Sequence, residues 1–228
     1  MADGQDIKGT AVKVLALMEK VTSFASSIDP IFGVVSSLVK VARKGLEDDK
    51  THPLDKDFQE IHTKLESISE KNRLILNDIL VKEVIENYGK YEEYIKHQYS
   101  SFIQMVAKVK KNPGDAKRYM EAFEKIYERD KSDLSLDVLY NGVMGKSGLF
   151  GRPVLMVYLQ SCDGDRKTME HICSHFINLF HIGLIALMGY TAVTEDDEDE
   201  VKEKWSKRVT DIQTAMEDVL GKCKDPSS

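Results

Sequence analysis

From position 171 to position 194 the chain carries no formally charged side chain. At a rise of about 1.5 Å per residue, a helix over this stretch is long enough to cross a bilayer core of about 30 Å. A segment this apolar has two destinations: the centre of a protein or a membrane. Its polar residues weigh for the first. His171, His175, Asn178 and His181 follow one another down a single helical stripe, and in lipid each would need a protein partner. The flanks weigh the same way: Glu195 onward is strongly acidic, and Arg166 and Lys167 are the only nearby cations. A central core helix is expected, with membrane insertion through 172–193 as the alternative, joined in that case by 21–39.

The remainder reads as helices that could wrap such a core. Val14, Leu17, Met18, Val21 and Phe24 recur at three-and-four spacing, which predicts a first helix over 7–24. Asp29-Pro30 reads as a restart, with Pro30 at a first helical position, and Ile31, Val34, Val35 and Leu38 carry a second helix to 46. Together they predict an N-terminal helical hairpin over 7–46. Residues 47–53 (EDDKTHP) read as a polar loop, with Asp55 as the cap of the next helix. From there to 111 no proline appears and Gly89 is the sole glycine. The stripe Phe58, Ile61, Leu65, Ile68 continues through Asn72 and shifts register near Leu80 to Ile85, Tyr88, Ile95, Phe102 and Val106. This is a coiled-coil seam pattern. It predicts one very long helix over 55–111, roughly 80 Å from end to end, unless it breaks at 87–89.

Residues 113–221 hold the remaining helices. Asn112-Pro113 and Ser132 each offer a helix start, and 142–152 (GVMGKSGLFGR) reads as a Gly-rich loop. Thr194 is expected to cap the last helix, with Glu195, Asp196 and Asp197 in its first turn against the macrodipole. No period-two strand signal of useful length is present. The fold class is all-α: a single domain over 1–228, built as an elongated helical bundle with an N-terminal hairpin, one very long helix and a central apolar helix.

Several activities lose support at this level. The net charge of −6 supplies no field for nucleic acid, and Lys108, Lys110 and Lys111 make too small a patch without interleaved aromatics. Cys162, Cys173 and Cys223 are odd in number and widely spaced, so a reducing, cytoplasmic setting is expected rather than a disulfide framework. Lys8, Lys13, Glu19 and Lys20 interrupt every early apolar run, so no signal peptide is expected. Ala2 rules against myristoylation, and Cys223 lies too far from the end for prenylation.

The chemistry-bearing motifs are fragments. Gly145-Lys146-Ser147 lacks the glycine a P-loop needs five residues earlier, where Tyr140 stands. His171 and His175 have the spacing of two metal ligands on one helix face, but two ligands do not close a site. The acidic run 195–200 lacks the alternating ligands of a calcium loop. No serine or cysteine sits in a nucleophile elbow. No catalytic, cofactor-binding or metal-binding residue is assigned, and no cofactor or small-molecule substrate is expected.

Residues 28–46 (IDPIFGVVSSLVKVARKGL), the polar break after them, 58–72 (FQEIHTKLESISEKN) and the late apolar segment resemble the rapunzel family of fish proteins over most of the chain. The first half is also distantly similar to helical regions of cephalotoxin-like proteins. Neither resemblance brings a catalytic motif. The rapunzel resemblance implies a vertebrate developmental context connected with fin and skeletal growth. The expected activity is therefore non-enzymatic: binding a protein partner or a second copy, through the long seam.

Overall fold

The computed structural model describes residues 10–44, 51–79, 81–146 and 152–224, with side chains from Val12 and Pro53 onward in the first two segments. Among the described residues the regular structure is helical throughout: α1 (Thr10–Leu17), α2 (Phe24–Arg43), α3 (Thr51–Leu76), α4 (Lys82–Lys111), α5 (Ala116–Arg129), α6 (Leu134–Met144), α7 (Val154–Ser161), α8 (Arg166–Val193) and α9 (Glu198–Gly221). Short 3₁₀ turns precede α2 and α5.

The uncharged stretch lies within α8, which forms the axis of the bundle. Asp165 starts it, accepting from the Thr168 amide at 2.9 Å. Every residue from 176 to 189 is buried. Around α8 stand α2, α3, α4, α5 and α9, each with its apolar stripe turned inward. Contacts at both ends fix the directions. Ser27 meets His181 and Arg43 meets the carbonyls of Ala192 and Val193, so α2 runs parallel to α8. Glu92 faces His175 while Phe102 abuts Gly189, so α4 is parallel as well. Asn72 on α3 bonds Ser174 near the start of α8, while Phe58 packs on Phe102, so α3 runs the opposite way.

In the first half of the chain four boundaries differ from the sequence reading. The rod expected over 55–111 is two antiparallel helices: α3 ends at Leu76 and α4 begins at Lys82, where the stripe shifts register. A straight helix would point its two stripes in different directions; folding back turns both onto α8. Helix already begins at Thr51, so Asp55 lies inside α3 and pairs with Lys110 instead of capping. In the N-terminal region α1 stops at Leu17, and α2 passes through Pro30 without restarting. Proline removes the donor to the Ser26 carbonyl, but Ser26 is exposed and water can serve it. Phe24, Ile28, Ile31 and Phe32 stay buried on one continuous face.

Later in the chain, Gly142 belongs to α6, packed against Tyr88, and Gly145 turns left-handed (φ 72°) as the helix cap. Gly148 and Gly151 of the expected loop lie outside the described residues. Thr194 closes α8, donating to the Tyr190 carbonyl at 2.9 Å, and Asp197 caps α9 by accepting from Glu200 at 3.1 Å. The first turn of α9 accordingly holds Glu198, Asp199 and Glu200.

Candidate functional site

α3 and α4 are clamped together at the end away from their connection. There Phe58 meets Phe102 edge-on at 5.6 Å between centroids, the Tyr99 hydroxyl lies 2.6 Å from His62 Nδ1, and Lys110 pairs with Asp55 at 2.5 Å. Toward the break the small residues Ser69 and Gly89 line the space between the two helices. The result is a cleft of about 520 Å³, floored by Asn178, Leu179 and Ile182 of α8 and closed at one side by Tyr158 of α7. Its walls mix apolar side chains, Leu65, Leu76, Val84 and Ile103 among them, with polar and charged ones.

The polar groups in this cleft are organised. Tyr99 is buried, and burial, with Glu66 second, holds its phenol well above the usual range. It therefore keeps its proton and donates to His62 Nδ1, whose Nε2 lies 3.2 Å from Glu66. This resembles a carboxylate–histidine–hydroxyl relay, but a phenol pushed upward is a poor nucleophile. His175 faces Glu92 at 3.3 Å. At the rim Arg73 pairs with Glu70 at 2.8 Å and Lys96 with Glu93 at 3.7 Å. Asn178 stands apart. It is 6 % exposed, and its Oδ1 has no hydrogen-bond partner. A buried amide oxygen left unpaired costs about 1–3 kcal/mol.

The histidine stripe separates into different surroundings. Burial first, then Lys71 and Lys167, holds the His171 imidazole below its usual value. His175 faces the cleft, and His181 is sealed against Ser27 at 2.7 Å. Among the described residues no group of three or more His, Cys, Asp or Glu side chains could hold a metal. Lys146 lies over the Tyr140 ring at 5.6 Å, and Ser147 is outside the described residues. The acidic run is engaged in structure: Glu195 with Arg43 at 2.7 Å, Glu198 with Lys40 at 2.9 Å. Burial pushes the Cys173 thiol up to about 12, with Cys223 adding to it, so it is no activated nucleophile.

The cleft itself was not found from sequence. Its signals were present: the register shift near Leu80 and Gly89, the sole glycine of a long helical stretch.

The described residues form a helical bundle wrapped on one apolar axis, with a cleft between α3 and α4, and that architecture defines its class. A family model described as the cephalotoxin-like middle helical domain matches residues 44–227, well beyond the first half of the chain to which the sequence resemblance assigned that likeness. Protein rapunzel of Danio rerio is 36% identical over 222 residues, covering 97% of this chain and 96% of that protein, and the chain belongs to the rapunzel family. No solved structure matches it.

Proposed function

We propose that this chain is a non-enzymatic binding protein that engages a protein partner, a second copy of itself included, through the rim of the α3–α4 cleft. The observation that carries the reading is the placement of Leu74 and Ile85. They are 59% and 46% exposed, on the two helix ends that frame the cleft, among few large apolar side chains so exposed. Exposed apolar groups at the mouth of a concave site are what a partner's anchor residues bury. Family membership supports a developmental setting, the fin and skeletal growth that the rapunzel resemblance implies. The three free thiols support a reducing, cytoplasmic one.

The test is proximity labelling in native tissue with fractionation of the same sample, wild type against Leu74→Glu/Ile85→Glu, alongside light scattering of both purified proteins. The substitutions lie at the surface, so the variant should melt close to wild type. It should lose a discrete set of neighbours or the higher mass. Unchanged neighbours and unchanged mass would remove the rim from the binding surface.

A second reading has its own observation. α8, of mean hydropathy 1.7, and Val21–Arg43, of 1.4, are both long and apolar enough to cross a membrane. A membrane-associated protein using 172–193 is that alternative.

A further inference from the structure

We infer that the α3–α4 cleft holds a small uncharged amphiphile: an apolar chain or ring system carrying one hydrogen-bonding head, seated with the head at Asn178. The inference rests on the reading that this cleft is the working site, and it adds an occupant for the interior to the partner at the rim.

Three features define the ligand. The first is size, because about 520 Å³ falls within the range of roughly 300–1,000 Å³ typical of small-molecule sites. The second is the wall. Leu65, Leu76, Val84, Ile103, Leu179 and Ile182 line it, and such a surface gains from covering with hydrocarbon rather than water. The third is the polar inventory. Every charged side chain on the lining already has a partner: Glu93 pairs with Lys96 and Arg73 with Glu70, while Glu66 and Glu92 face the imidazoles of His62 and His175. A charged head would have to compete with these partners as well as lose its water. Asn178 is different, a carboxamide on the floor with an oxygen that nothing in the chain satisfies. Rotation of the amide by half a turn exchanges oxygen and nitrogen, so it can offer either an acceptor or a donor to one head group. A hydroxyl is the simplest group that answers both.

The structure also supplies a clean way to block the site. A Cβ added at Gly89 would meet only Ile85 Cγ2, at 3.7 Å, an ordinary contact. Gly89→Leu therefore starts from a Cβ that α4 accommodates, places its side chain on the cleft wall, and improves helix propensity besides. Asn178→Leu removes the head-group partner while matching the apolar floor, and should raise the melting temperature by removing the unpaired oxygen.

The experiment titrates the full chain with decanol, decanoate and decylammonium below their micellar concentrations, following binding by calorimetry and ligand-observed NMR. Decanol should bind, Gly89→Leu should abolish the signal, and Asn178→Leu should weaken it about tenfold, the worth of one hydrogen bond. The charged analogues should bind at least about tenfold more weakly. Decanol binding that survives Gly89→Leu, or no binding with all three probes, overturns the inference. Equal affinity for decanol and a charged analogue overturns the uncharged head. Failure here with the rim variant still losing its neighbours leaves the binding-protein reading standing, and the reverse result leaves the ligand site standing without it.

Discussion

His181 is 1% exposed, with its Nε2 at 2.7 Å from Ser27 Oγ and the Phe24 ring edge-on at 5.2 Å. Ser27 Oγ also lies 2.7 Å from the Phe24 carbonyl, and the Ile177 carbonyl faces the ring, so the buried imidazole has hydrogen-bonding neighbours without any charge beside it. Burial pushes this imidazole down to about 3. The folded state thus keeps His181 neutral while the unfolded chain takes up a proton near pH 6.5. Stability from this residue is complete above that value and falls as the pH drops through the window from about 6.5 to about 3. Between about pH 7 and about pH 5 the loss is about 2 kcal/mol. Denaturant unfolding at both values, wild type against His181→Gln, checks it: the variant should be less stable near neutrality and less sensitive to acid. Parallel pH dependences would mean that the site admits the charged ring.

At the scale of elements, two glycines in helices report opposite constraints. A Cβ on Gly189 of α8 would lie 2.5 Å from the Phe102 ring of α4, and that ring is held by Phe58 and Phe123. Gly33 of α2 is exposed, with nothing within 4 Å of the same atom. Gly33→Ala should therefore stabilise the protein by about 0.5–1 kcal/mol, from helix propensity alone. Gly189→Ala should destabilise it by about 1–2 kcal/mol despite the same propensity gain, because the core cannot give way. Thermal melts moving in the same direction for both would show that α4 and α8 are not in this close contact. What the sequence made legible divides along the same line. Stripes such as Trp205, Val209, Ile212, Met216 and Val219 are local patterns and were readable, and all five are buried. Which helix receives a stripe is not local. The fold-back at Lys82 and the run through Pro30 both follow from burial against α8, which lies far along the chain from either. The cleft escaped notice for that reason: it exists only because two distant stripes share one floor.

For the molecule as a whole, the directions of its two most apolar helices bear on the membrane alternative. α2 and α8 pack side by side and parallel, with Ser27 opposite His181 and Arg43 closing the end of α8. Two spans keeping that packing in a bilayer would need an odd number of crossings between them. Among the described residues no other helix is long and apolar enough to provide one. The most apolar window of α8 is 89% buried inside the bundle, and its polar groups Ser174, His175 and His181 reach Asn72, Glu92 and Ser27. Such partners satisfy in protein what lipid would leave bare. Alkaline carbonate should accordingly release wild type from membranes. Leu184→Lys, at a position 1% exposed, should lower its folding stability by more than about 3 kcal/mol through an unpaired buried charge. A bilayer span reverses both outcomes: wild type would stay in the carbonate pellet, and lysine at mid-membrane, costing roughly 2.5–3.5 kcal/mol on insertion, would shift the variant toward the soluble fraction. Wild type in the pellet would require α8 to leave the bundle, since its pairing with α2 does not fit two spans alone.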